Sequence, residues 1–165
     1  MNFQPGTLSA DGYIIDQRRT DNILFGQVPS SKNGCGWIAV YNLLRALGQD
    51  PDPDAIVSQL QKTLLFGGTL GLNFFVLAHY LRRLGLNMEV AVRSFHAREL
   101  SEHCTAGIVL YRAGRTNHFA AFRREENGKL RFFGAIPGDE NYRATMAEFY
   151  YDKVKFPLAL TITVK

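Results

Sequence analysis

Residues 33–48 read NGCGWIAVYNLLRALG, and they set one of only two cysteines in the chain between two glycines at the mouth of an apolar helical pattern. Trp37, Val40, Tyr41, Leu44 and Leu47 recur at helical spacing, and Gly48 supplies a stop. The spacing predicts a helix over 35–47 that begins at the thiol. Glycine on both sides of Cys35 removes bulk from the approach to the sulfur, which suits a nucleophile that a substrate carbonyl must reach. A tight turn around a small buried cysteine explains the same residues, and the motif alone leaves both readings open.

Outward from this stretch the pattern divides in two. The first 30 residues carry no clear period apart from a short strand expected over 12–16. After the helix, Pro51-Asp52-Pro53-Asp54 predicts a turn and an N-cap, followed by a second helix with Ile56, Val57, Leu60 and Leu64 inward. A glycine-rich break at 67–71 precedes a third helix over 72–84, with Phe75, Val76, His79 and Leu84 on its inner face and Gly85 at its end. Beyond Gly85 the period changes: 88–93, 106–112, 118–124, 129–133 and 158–164 read as strands, with a short helical turn over 94–100. Glu125-Glu126-Asn127-Gly128 joins two of them as a hairpin, because Asn-Gly accepts the positive φ angles of tight turns. Helices first and an antiparallel sheet second predict an α+β fold, read as one domain over 1–165 without repeat or linker.

Composition narrows the function classes. With 165 residues, 46% hydrophobic and 21% charged, the chain has the make-up of an ordinary globular protein. Its net charge of +4 is mild. The basic pairs Arg18-Arg19, Arg82-Arg83 and Arg123-Arg124 are scattered, so no nucleic-acid partner is expected. No apolar run approaches the ~20 residues of a membrane span, so no membrane is expected. No signal peptide is visible, which predicts a cytoplasmic protein or one exported by a route the sequence does not display. Cys35 and Cys104 make neither a disulfide scaffold nor a metal motif, and no metal or cofactor is implied. Oligomeric state is not specified.

The chemistry turns on Cys35. A helix N-terminus favours the thiolate, and a cysteine there keeps its own amide N–H free to hold a developing oxyanion. Such a nucleophile needs a base. His79 falls mid-helix on an apolar face and reads as a core residue, whereas His96 and His103 fall in a polar connection and read as exposed. His118 opens the strand HFAAF straight after a turn, where a rigid sheet holds the ring while it faces a cleft. An exposed strand end is the plain alternative for His118.

In order along the chain, Cys35-Gly36, Leu47-Gly48, Gly67-Gly68, Leu84-Gly85, the strand at 88–93 and Asn117-His118-Phe119 resemble the papain-like cysteine peptidases. Within these, the pattern is most similar to the branch containing the double-glycine leader peptidases of bacteriocin exporters. The resemblance spans about residues 27–140. It implies a papain-like fold, with an N-terminal helical half whose cysteine helix packs on a C-terminal antiparallel sheet. It implies Cys35 as nucleophile, His118 as general base and then acid, and a peptide or protein substrate. Trp37 and Phe119 are expected in the core beneath the site.

Two positions depart from the family. There, a glutamine six residues before the cysteine supplies a side-chain donor to the oxyanion hole; here that position is Pro29. Gln27 is the expected replacement beside the Cys35 N–H, with Asn33 as an alternate. The family also places Asp or Asn at the end of the strand paired with the histidine strand, and here Gly134 stands there. A Cys–His dyad reacts without that third member, and Asp139, Glu140 or Asn141 are candidates to turn back toward His118. The expected function is a cysteine peptidase, or a related acyl-bond hydrolase, with an incomplete third position. The alternative is a catalytically inactive papain-like module that binds an extended peptide. An unrelated α+β interaction protein with a structural Cys35 is the third.

Overall fold

The computed structural model describes residues 1–92, 94–114, 116–139, 142–154 and 159–165. Its leading segment is irregular. Where a strand over 12–16 is expected, Leu8 and Ile14 form only an isolated antiparallel bridge. A 3-10 turn, Gln17–Thr20, starts at Asp16, whose carboxylate accepts from the Arg18 N–H. Two short antiparallel strands, β1 (Leu24–Phe25) and β2 (Val28–Pro29), then lead into a one-turn helix, α1 (Ser30–Asn33).

The helix expected at the thiol forms as α2 (Cys35–Ala46), and every residue from Gly36 to Leu44 is buried. This burial explains the two glycines. A Cβ on Gly36 would stand 2.8 Å from Leu72 Cβ, and one on Gly34 would stand 2.5 Å from Ser30 O and 2.8 Å from Trp37 Nε1. Both glycines are therefore set by close packing of the helix against its neighbours, not by access for a substrate.

Two helices follow: α3 (Pro53–Leu60), capped by Asp52 and burying Ile56, Val57 and Leu60, and α4 (Phe74–Arg83), capped by Asn73. Leu64 lies beyond α3, packed partly buried against the same core. In α4 the buried stripe is Phe74, Leu77, Ala78 and Leu81, spaced i, i+3, i+4, i+7. Phe75, His79 and Leu84 are exposed, contrary to expectation. Two apolar stripes run along this helix, one starting at Phe74 and one at Phe75, and the first is the buried one.

The C-terminal half supplies β3 (Met88–Ala91), α5 (Ser94–Ser101), β4 (Ala106–Ala113), β5 (Thr116–Arg124), β6 (Leu130–Phe133), β7 (Arg143–Ala144), α6 (Met146–Lys153) and β8 (Leu160–Val164). They include one antiparallel sheet of order β3-β8-β4-β5-β6-β7. Of the strands expected over 88–93 and 158–164, residues 93 and 158 lie outside the described residues. Helix α6 is not anticipated from its weak periodicity. Its signature is the capping box of Thr145 and Glu148, each side chain bonding the other residue's backbone N–H.

Both faces of the sheet are covered. Ile108, Phe119 and Ala121 share a core with Trp37 and the helices of the first half, and Val109, Tyr111, Ala120 and Phe122 share a second core with Phe149 of α6. Trp37 and Phe119 are buried, as expected. We predict that Gly36→Ala destabilises the protein. Alanine in a helix interior gains about 0.5–1 kcal/mol over glycine. Displacing Leu72 at its Cβ costs about 1–3 kcal/mol, which wins. Denaturant unfolding should show a lower midpoint at unchanged slope; a higher midpoint would show that the glycine is not a packing requirement.

Candidate functional site

Cys35 and His118 line one cavity of about 300 Å³, together with Gln17, Arg18, Ser31, Lys32, Thr116, Asn117, Ala135, Ile136 and Pro137. The two reach it from opposite halves of the fold. Cys35 is half-buried at the start of α2. His118 is half-buried near the start of β5, directly opposite Tyr111 of β4 in the register.

The meeting point is set by the end of a strand. In β5 the Arg124 N–H faces β4, where it donates to Thr105 O at 2.8 Å, so the N–H of Phe119, of opposite parity, faces the β6 side. Strand β6 stops at Phe133. The Phe119 N–H that a longer β6 would have engaged donates instead to Cys35 Sγ. The sulfur thus occupies the free edge of β5 beside His118. Its other backbone donors are the N–H groups of Gly36 and of Cys35 itself.

His118 is held from the same place. Its Nε2 lies 2.5 Å from Gly134 O, the first carbonyl after β6, and Tyr111 packs edge-on against the ring with centroids 5.9 Å apart. Only Nε2–H can donate to a carbonyl, so the neutral ring carries its proton on Nε2 and leaves Nδ1 as the acceptor. The orienting group is therefore present at position 134 as main chain. A glycine there lacks the side chain that the resemblance requires, yet its carbonyl serves the imidazole.

The remaining expected residues lie elsewhere. Gln27 is exposed outside the cavity lining, its N–H donating to Gly67 O at 2.8 Å. The bend after β1 turns it toward the glycine-rich break. Asn33 is buried, and its Nδ2 donates to Phe25 O at 2.9 Å and Gly68 O at 3.0 Å, so its amide ties loops together outside the cavity. Asp139 is engaged by Lys153 Nζ at 3.1 Å through both oxygens, and acts on His118 by charge only. Residues 140 and 141 lie outside the described residues. The cavity residue that sequence reasoning missed is Gln17, which sits in the irregular leading segment with no motif around it. Among the described residues, no three His, Cys, Asp or Glu side chains group as metal ligands.

Electrostatics favour an uncharged resting pair. Burial pushes the Cys35 thiol up, against the helix-terminus expectation, with the Phe119, Gly36 and Cys35 N–H groups opposing it. Burial likewise pulls His118 below its ordinary value, opposed by the Gly134 carbonyl and the Asp139 charge. Tyr111 is pushed up to about 12 by burial and stays neutral.

No family model matches the chain, and no curated protein matches it. Among solved structures, it is similar to the crystal structure of the peptidase domain of Streptococcus ComA, a bifunctional ABC transporter involved in a quorum sensing pathway. The TM-score is 0.54 at 14% identity, covering 79% of this chain and 91% of that one. The arrangement of helices and antiparallel sheet is accordingly α+β and papain-like.

We predict that iodoacetamide alkylates Cys35 before Cys104, whose buried thiol is pushed up to about 11. The Cys35 rate should rise with pH through a midpoint above the ~8.5 of a free thiol. Reactivity that stays on a plateau down to about pH 5 would reveal a preformed thiolate–imidazolium pair and contradict the uncharged pair.

Proposed function

We propose that the protein is a cysteine peptidase of the papain-like type, with Cys35 as nucleophile and His118 as general base. The observation that supports this reading is the shared cavity, lined by both Cys35 and an imidazole whose Nε2 is already engaged by the Gly134 carbonyl. The likeness to a peptidase domain supports a peptide bond as the substrate. Of its branches, the double-glycine leader peptidases remain the best match to the motif order, and among the described residues no helix is long and apolar enough to cross a membrane.

The chemistry follows from the geometry. His118 Nδ1 takes the proton from Cys35 Sγ as the sulfur attacks the scissile carbonyl carbon. A C–S bond forms, and the negative charge on the carbonyl oxygen is held by the Cys35 N–H. The imidazolium returns its proton to the departing amine as the C–N bond breaks. Water, deprotonated by Nδ1, then attacks the thioester and releases the acid and the free thiol. Throughout, the Gly134 carbonyl keeps the ring in one tautomer and stabilises its charged form.

A second reading, a module that binds an extended peptide without cutting it, is favoured by the position of Gln27 and Asn33 outside the cavity, which leaves no side-chain oxyanion donor of the expected kind. A fluorogenic peptide library separates the two. Wild type should cleave, and Cys35→Ala and His118→Ala should lose about 10³-fold or more. Gly134→Asn should stay within about tenfold of wild type, because the orienting carbonyl remains. Its backbone lies outside the left-handed region, and a Cβ there meets nothing closer than 3.7 Å. Peptide binding that is equal in wild type and Cys35→Ala, with cleavage by neither, would establish the binding module.

A further inference from the structure

The resemblance expects two donors at the oxyanion hole, a side-chain amide and the Cys35 N–H, and position 29 holds a proline in place of the first. How the second is kept available is then decisive. In an α-helix running unbroken through Gly34, the Cys35 N–H would be consumed by Ser31 O, four residues earlier. The helix does not run through. α1 ends at Asn33 and Gly34 lies outside both helices, so the α-helical ladder is interrupted at the residue before the thiol.

Ser31 O is instead occupied by Gln17. The Gln17 Nε2 donates to Ser30 O at 2.9 Å and to Ser31 O at 3.2 Å, and both amide hydrogens are thereby used. The Gln17 backbone N–H donates to Ala135 O at 2.9 Å, one residue from the carbonyl that holds His118. Gln17 is buried, lines the cavity and touches both of its banks. The Ser31 hydroxyl also donates to Asp21, so the α1 turn is pinned at two places.

We infer that Gln17 is the positioning residue of the oxyanion hole. By holding the Ser31 carbonyl it breaks the helix ahead of the thiol and keeps the Cys35 N–H out of the ladder, at the sulfur, where the substrate oxygen can accept from it. With both its hydrogens committed, its own amide is not an oxyanion donor; it acts through Cys35. The inference rests on the peptidase reading but makes a claim that peptide cleavage alone does not test.

The experiment compares two reactions of the same thiol. Iodoacetamide loses iodide to the sulfur at a saturated carbon and forms no oxyanion. p-Nitrophenyl acetate is attacked at its carbonyl, forms an oxyanion, and expels p-nitrophenolate as the thioester forms. Gln17→Met keeps the length and removes the donors. It should lower the acylation rate of Cys35 by about tenfold or more relative to its alkylation rate, in the range set by loss of one oxyanion donor. An unchanged ratio, or an equal loss of both rates, would overturn the inference. Amide hydrogen exchange on wild type needs no variant: the Cys35 N–H should exchange at least ~100-fold faster than that of Ile38, which is bonded to Gly34 O at 3.0 Å. A Cys35 amide as slow as Ile38 would also overturn it. Should wild type be acylated in the predicted ratio yet cleave no peptide, the inference stands and the peptidase reading falls.

Discussion

Because every residue from Gly36 to Leu44 is buried, α2 has no solvent face, and the rest of the molecule is arranged to enclose it. A helix in that position must have its polar side chains satisfied from outside. Asn42 accepts from the Ile14 N–H and donates to Ile14 O, both at 2.9 Å, and Trp37 Nε1 donates to Ser30 Oγ at 3.0 Å. Both partners belong to segments without long regular elements, which are held in place by what the helix requires. The irregular leading segment is thus a wrapper for α2. In covering the helix, it carries Gln17 to the cavity at the thiol.

The second constraint is where β6 ends. A sheet strand that stops leaves main-chain groups without their ladder partners, and buried groups of that kind must be bonded elsewhere. Here the unused Phe119 N–H goes to Cys35 Sγ, and the Gly134 carbonyl goes to His118 Nε2. The thiol and the imidazole are both seated by backbone at one interrupted edge. On the peptidase reading, a glycine can then occupy the orienting position, because the main chain provides the oxygen acceptor that faces His118.

Much of this was legible in the residues. The apolar spacing after Cys35, the change of period after Gly85 and the Asn127-Gly128 turn led to the right elements, and His118 stood out by its place at the entrance of a strand. What misled was any feature whose meaning depends on tertiary neighbours. Gly34 and Gly36 suggested substrate access until Ser30, Trp37 and Leu72 were seen against them. The two apolar stripes of α4 are not distinguished by periodicity, and packing selected Phe74, Leu77, Ala78 and Leu81. Gln27 is the glutamine nearest the family's position, two residues farther from Cys35, yet a loop bend decides where it points. Gln17 carries no motif, and a backbone carbonyl such as that of Gly134 has no letter of its own.

The central claim is that a main-chain carbonyl fixes the His118 tautomer so that Nδ1 serves the Cys35 thiol. Nitrogen NMR on ¹⁵N-histidine-labelled protein at neutral pH reads it directly. The account predicts a neutral ring protonated at Nε2 with an unprotonated Nδ1 whose resonance shifts in Cys35→Ala. A ring protonated at Nδ1, or a Nδ1 signal indifferent to Cys35→Ala, would contradict it.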